Sequence, residues 1–149
     1  VAAAARARLL EREEALALID QCEGLGLIHT CENSTRMRPR WGMCNCCTDC
    51  CMIYEPINRF QAPVTKCIAK SRYEVHLDDD LCTGCDICVD WCPFGAIKMV
   101  KPKNSKKEKA FVDTGKCMGC GICVLKCDYQ ALSLKQVRPP EHIPQALAL

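Results

Sequence analysis

A cysteine pattern that occurs twice constrains this chain more than anything else in it. Cys82-x2-Cys85-x2-Cys88-x3-Cys92 is followed, at an offset of 35 residues (117 − 82), by Cys117-x2-Cys120-x2-Cys123-x3-Cys127. The surroundings repeat at the same offset, pairing Gly84 with Gly119, Ile87 with Ile122, Val89 with Val124 and Ala96 with Ala131. Two copies are fewer than a solenoid needs. A duplicated, pseudo-symmetric unit accounts for them better. Each copy reads as a short strand, a cysteine loop, a short helix and a second short strand. The expected strands are 74–77 and 97–100 in the first copy, and 110–113 and 132–135 in the second.

Sixteen of the 149 residues are cysteine and only 5% are aromatic. A core so poor in large side chains needs another source of stability, and small scaffolds commonly find it in disulfides or metal. Metal is the better reading, because gaps of two and three residues suit convergence on one centre and not pairing with distant partners. Residues 1–8 are Ala/Arg-rich without a continuous apolar stretch, so no export signal is read there and the expected compartment is the cytoplasm. The sequence opens on Val1 and not Met, as a processed chain or a fragment would. No run of about 18 apolar residues occurs, so no membrane span is expected. A formal charge of +2 is too small to direct the chain to nucleic acid.

The spacing has a physical reason. Three cysteines at two-residue gaps wrap one face of a cubane, and the amides between them point at its sulfides. Gly84 and Gly119 let the backbone approach closely, and the amide donors help the protein carry the negative charge of a thiolate-ligated cluster. Four thiolates also suit zinc, but zinc ribbons use two separated Cys-x2-Cys knuckles. Residues 74–135 therefore resemble a bacterial-type ferredoxin with two [4Fe–4S] clusters. The resemblance implies an α+β, ferredoxin-like βαββαβ fold with pseudo-twofold symmetry, and one-electron transfer at low potential. It also implies that the fourth cysteine of each run begins a helix and ligates the other run's cluster. One cluster then takes Cys82, Cys85, Cys88 and Cys127, and the other Cys117, Cys120, Cys123 and Cys92. The chain departs from the family pattern in having Cys127-Asp128 where the first run has Cys92-Pro93, and in a lengthened lysine-rich turn between the copies.

The rest of the chain divides into three zones. Residues 1–26 read as an amphipathic helix over 2–22, stopped by Gly24 and Gly26; packing on its own domain is its ordinary role and docking a partner the sharper one. Residues 27–73 form a cysteine-rich metal-binding segment, expected to be mostly loops and short helical turns, with a basic loop at 36–40. Residues 136–149 read as an extended tail. Five cysteines fall within 44–51, and Cys44, Cys47 and Cys50 repeat the three-ligand register, with Cys67 as fourth ligand. Cys46, Cys51, Cys31 and Cys22, or His29, are alternatives. At least one further iron–sulfur cluster is expected here, zinc being the alternative. The lysine-rich turn 101–109 reads as solvated, or as a docking site for an acidic partner.

The order of helix, Gly26-Leu27-Ile28-His29 segment, Cys44-Asn45-Cys46-Cys47 run and repeat resembles iron–sulfur proteins with a cysteine-rich segment before a ferredoxin domain. That resemblance adds little beyond electron transfer. The residues before the two-cluster core, 1–73, and the tail after it are the natural place for subunit contacts and an extra relay cluster. The expected role is therefore the relay subunit of a larger oxidoreductase, with its catalytic subunit as redox protein partner. The alternative is a redox enzyme with a catalytic metal or cluster in the N-terminal segment. No nucleotide or flavin loop, GxGxxG or GxxxxGK[ST], is present to support it.

Overall fold

The computed structural model describes residues 8–31, 42–103 and 107–140. The basic loop 36–40, the centre of the lysine-rich turn (104–106) and the last nine residues lie outside them.

The first described element is α1, Arg12–Gly24. The part of the expected helix over 2–7 lies outside the described residues, and the described residues 8–11 before α1 are non-helical and exposed. Glycine stops it where the sequence says it should: Leu25 is the cap and Gly26 follows at φ +77°. A Cβ on Gly26 would stand 2.4 Å from the Trp91 ring. Lys126 donates to the Gly24 carbonyl at 2.6 Å and sits 4.4 Å over that same ring, a cation at the negative end of the helix. Cys22 is buried, whereas Leu9, Leu16 and Leu18 face solvent. Only the C-terminal end of α1 is docked.

Residues 27–73 differ from the expectation of mostly loops. β1 (Ile28–Cys31) and β2 (Met43–Cys46) form an antiparallel ribbon, pairing Ile28 with Cys46 and Thr30 with Cys44. The two-residue alternation of a strand puts Ile28 and Thr30 on one face with Cys44 and Cys46. A turn at 48–50 leads to the short helices α2 (Glu55–Phe60) and α3 (Val64–Cys67).

Residues 73–136 run β3 (Tyr73–Leu77), α4 (Ile87–Asp90), β4 (Ile97–Val100), β5 (Lys109–Val112), α5 (Ile122–Leu125), β6 (Leu132–Gln136). β3 pairs antiparallel with β6, and β4 with β5, so each ribbon takes its strands from both copies of the repeat. The strands fall within one residue of the expected windows. One local detail differs: α4 and α5 carry Cys88 and Cys123, whereas Cys92 and Cys127 follow these helices in a turn and do not begin them. The Cys92 carbonyl accepts from Gly95, and the Cys127 carbonyl from Gln130.

Val75, Ala96, Ile97, Ala110 and Leu132 form the core with Cys117 and Cys123, and half-buried Cys82, Cys88, Cys92 and Cys127 pack against it. Sulfur fills space that aromatic rings occupy elsewhere. A second cluster of Ile28, Cys46, Tyr54 and Ile122, joined by Phe94 and Cys120, seats the N-terminal segment on the second copy of the repeat. The tail is not free at its start. Val137 and Arg138 donate from their amides to the Arg72 carbonyl, and the Arg138 side chain bonds Ser71 O at 2.8 Å and pairs with Glu74.

Candidate metal centres

All sixteen cysteines are free. The local chain geometry that gathers them repeats along with the sequence. Gly84 lies at φ +80° and Gly119 at +72°. A Cβ on Gly84 would stand 2.3 Å from the Glu108 carbonyl oxygen, and one on Gly119 2.1 Å from that of Tyr73. Each cysteine loop is thus pressed backbone to backbone against the residues at the start of a strand, and only glycine fits there. Asp86 and Gly121, at equivalent positions, both precede their helices at positive φ. Lys109 secures the first loop by donating to Asp79 O at 2.8 Å and to Cys82 O.

These loops surround two cavities. Cys82, Cys85, Cys88 and Cys127 line one, with about 360 Å³ of empty space, walled by Leu77, Met99 and Tyr129 among others. Cys92, Cys117, Cys120 and Cys123 line the second, about 310 Å³, whose other walls include Val75, Trp91 and Phe94. Each cavity combines three cysteines of one run with the last of the other. Among the described residues no charged side chain lines the second cavity. The first opens toward solvent at exposed Cys85, whereas Cys117 and Cys123 in the second are buried.

The electrostatics of these cysteine sets point the same way. Burial first, then Cys85 and Cys82 beside it, push the Cys88 thiol up to about 11. Burial, with Cys120, Cys92 and Cys117 as neighbours, pushes Cys123 up to about 12, and burial raises Cys120 as well. Four thiolates in one apolar cavity repel each other unless a cation neutralises them. The donor set is soft, anionic when loaded and set among largely apolar walls, which fits an iron–sulfur cluster. The Ala96 amide, 3.3 Å from Cys92 Sγ, supplies a hydrogen bond of the kind that tunes such a thiolate.

The N-terminal cysteines are arranged differently. The chain turns back on itself so that Cys46 interacts with Cys51, while Cys47 and Cys50 sulfurs stand 3.1 Å apart. Thr30 Oγ1 lies 3.0 Å from Cys46 Sγ. Burial raises the Cys46 thiol, with lesser contributions from Cys51 and Cys44. The exposed Cys50 thiol is pushed up to about 11 by its bond to Cys47 and by the Asp49 charge. Cys47, Asp49 and Cys50 bring one donor atom each to within 4.8 Å of one another. Cys44 and Cys67, assigned with them from the sequence, do not fall in that group: Cys44 is on β2 and Cys67 ends α3, both exposed. Cys31 is exposed at the end of β1, and buried Cys22 belongs to α1. His29 bonds Asn45 Oδ1 through Nδ1 at 2.8 Å and faces Glu23 at 3.5 Å through Nε2. In the sequence Asp49 carries no ligand signal, because the cysteine register around it is complete without a carboxylate.

Residues 81–131 match the family model described as a 4Fe-4S dicluster domain. No curated protein matches the chain. That match and the many cysteines support a 4Fe-4S ferredoxin-like domain in this stretch and an iron–sulfur electron-transfer role. Among the described residues no helix is long and apolar enough to cross a membrane.

Proposed function

We propose that this chain is an electron-transfer protein with two [4Fe–4S] clusters on a ferredoxin-like βαββαβ unit, serving as the relay subunit of a larger oxidoreductase. The observation that carries the reading is the grouping of cysteines around two cavities, each closed by a sulfur from the other run. Cys82, Cys85, Cys88 and Cys127 hold one cluster, and Cys117, Cys120, Cys123 and Cys92 the other. When bound, the clusters supply one-electron exchange. The residues here set its terms. Gly84 and Gly119 keep the loops tight, apolar walls exclude water, and the crossed fourth ligands tie the two halves together.

A difference between the cavities supports the relay reading. The first reaches the surface at Cys85, where a redox partner can approach, while the second lies beneath Phe94 and the N-terminal segment. Oxidation-sensitive clusters favour the cytoplasm as compartment. The cysteine-rich segment adds a further metal centre, an iron–sulfur cluster by its sequence register or zinc by the alternative reading, and the function of the two cavities does not depend on which.

Metal analysis of the anaerobically loaded chain tests the core of this proposal. The two cavities require about eight irons and eight acid-labile sulfides, and a redox titration with two one-electron steps. Cys127→Ser should perturb the cluster held by Cys82, Cys85 and Cys88 and spare the other. Perturbation of the Cys117 cluster instead would reverse the crossed assignment, and zinc in place of iron would overturn the function.

A further inference from the structure

The tight turn between β2 and α2 is built unlike either sulfur-lined cavity. In a cubane each cysteine takes a different iron, so its sulfurs stand far apart around a large body. Around a single tetrahedral ion, with metal–sulfur bonds of about 2.3 Å and metal–oxygen bonds of about 2.1 Å, donors lie about 3.5–3.8 Å from one another. Cys47 Sγ and Cys50 Sγ are 3.1 Å apart, and an Asp49 carboxylate oxygen joins them with all separations within 4.8 Å. Opening the two sulfurs by about 0.7 Å gives them the separation of two thiolates on one ion, with the carboxylate oxygen within 4.8 Å of both. The Asp49 carboxylate, held in place by accepting from the Cys50 amide at 2.9 Å, supplies a third donor that a metal site uses and a disulfide does not need.

The turn is also held from outside. Asn58 of α2 donates from Nδ2 to the Thr48 carbonyl. The Tyr54 and Glu55 amides bond the Cys51 carbonyl at 2.8 and 2.9 Å. Tyr54 is itself buried in the cluster shared with Ile122 and Cys120. The three donors are therefore presented by a turn anchored to the ferredoxin half.

We infer that Cys47, Asp49 and Cys50 bind one mononuclear divalent ion of zinc type, with its fourth position open to an exogenous ligand. Two thiolates and a carboxylate leave such a centre with one net negative charge, and their softness favours Zn²⁺ over Mg²⁺ or Ca²⁺. This assignment replaces the cubane on Cys44, Cys47, Cys50 and Cys67 and does not depend on the two clusters, whose iron is counted separately in the same sample. The open position makes the ion able to take a thiol, water or small anion, as three-ligand zinc sites do.

The test uses the full, iron-loaded chain incubated with Zn²⁺ and desalted, with zinc and iron both quantified. Co²⁺ replaces Zn²⁺ in a parallel sample for its thiolate charge-transfer absorption. One zinc per chain is expected beside about eight irons, with a Co²⁺ spectrum of two-thiolate character. Cys47→Ser should abolish the zinc and leave the iron unchanged. Asp49→Asn should weaken zinc binding by more than the roughly 10–100-fold that losing an outer hydrogen-bond partner of a ligand costs. Cys67→Ser and Cys44→Ser should retain it. About four extra irons in place of zinc, lost in Cys67→Ser, would overturn the inference in favour of a third cubane. So would a chain that binds no zinc and shows a Cys47–Cys50 disulfide by mass spectrometry.

Discussion

At the scale of single residues, Gly84 and Gly119 are where the repeat can least tolerate change. Their positive φ alone strains any other residue, and the carbonyls at 2.3 and 2.1 Å from the Cβ position belong to backbone that cannot step aside. Gly84→Ala and Gly119→Ala should each destabilise the loaded chain by at least about 1–3 kcal/mol. Iron retention should fall with stability, since the same loops carry the cysteines. Gly24 is the control. It ends α1, has nothing within 4 Å of its Cβ position, and its φ is not positive. Gly24→Ala should be neutral or stabilising by up to about 1 kcal/mol. Thermal melts with iron analysis on the three variants decide this, and equal losses in all three would show that close approach is not what the repeat glycines provide.

At the scale of elements, the two ribbons depend on contacts that bring distant chain segments together, and β3–β6 has the clearest one. Arg138 reaches back from beyond β6 to pair with Glu74 and to bond Ser71 O, both partners of the ion pair being mostly buried at 19% side-chain exposure. Arg138→Ala should cost about 1–3 kcal/mol, the range for a lost hydrogen bond to a charged group. In a double-mutant cycle with Glu74→Gln the losses should fall short of additivity, because both changes break one contact. Additive losses would mean that the pair contributes nothing beyond its separate parts. This anchor was invisible in the sequence, where residues 136–149 read as an extended tail, because the pairing joins residues 64 apart. The strands of the repeat were legible since each copy vouched for the other at the 35-residue offset. The β1–β2 ribbon was not, for cysteine-dense sequence has no strong local propensity and nothing nearby repeats it. Cys44-x-Cys46 was the available signal, since a one-residue gap puts both sulfurs on one face of a strand. Asp49 needed the turn itself, because only in three dimensions does its carboxylate meet the two thiols.

At the scale of the whole molecule, the core is small and much of it is sulfur. Among the described residues no large side chain is fully buried, and the first core cluster combines short aliphatics with two buried and four half-buried cysteines. Such a core stabilises little without its metal, so ligation free energy becomes folding free energy. Chelating the iron should lower the melting temperature steeply and loosen both ribbons of the repeat. The thiols add a pH signature to the stripped chain. Cys88 and Cys123 move from an ordinary value of 9.0 to about 11 and about 12. Between those limits the folded, stripped chain holds protons that the unfolded chain has released, so stability falls as pH rises. The contribution is fully present below about pH 9 and is lost as pH passes through 11–12. The loaded chain carries no proton on these sulfurs and should lack that alkaline loss. Its weakness is on the acid side, where protons compete with the metal for thiolate. Anaerobic circular dichroism of loaded and chelator-treated chain from pH 5 to 12 should therefore give profiles of opposite slope. A stripped chain as stable as the loaded one across that range would show that the cavities are closed by packing alone, and the metal would lose its place as the main support of the fold.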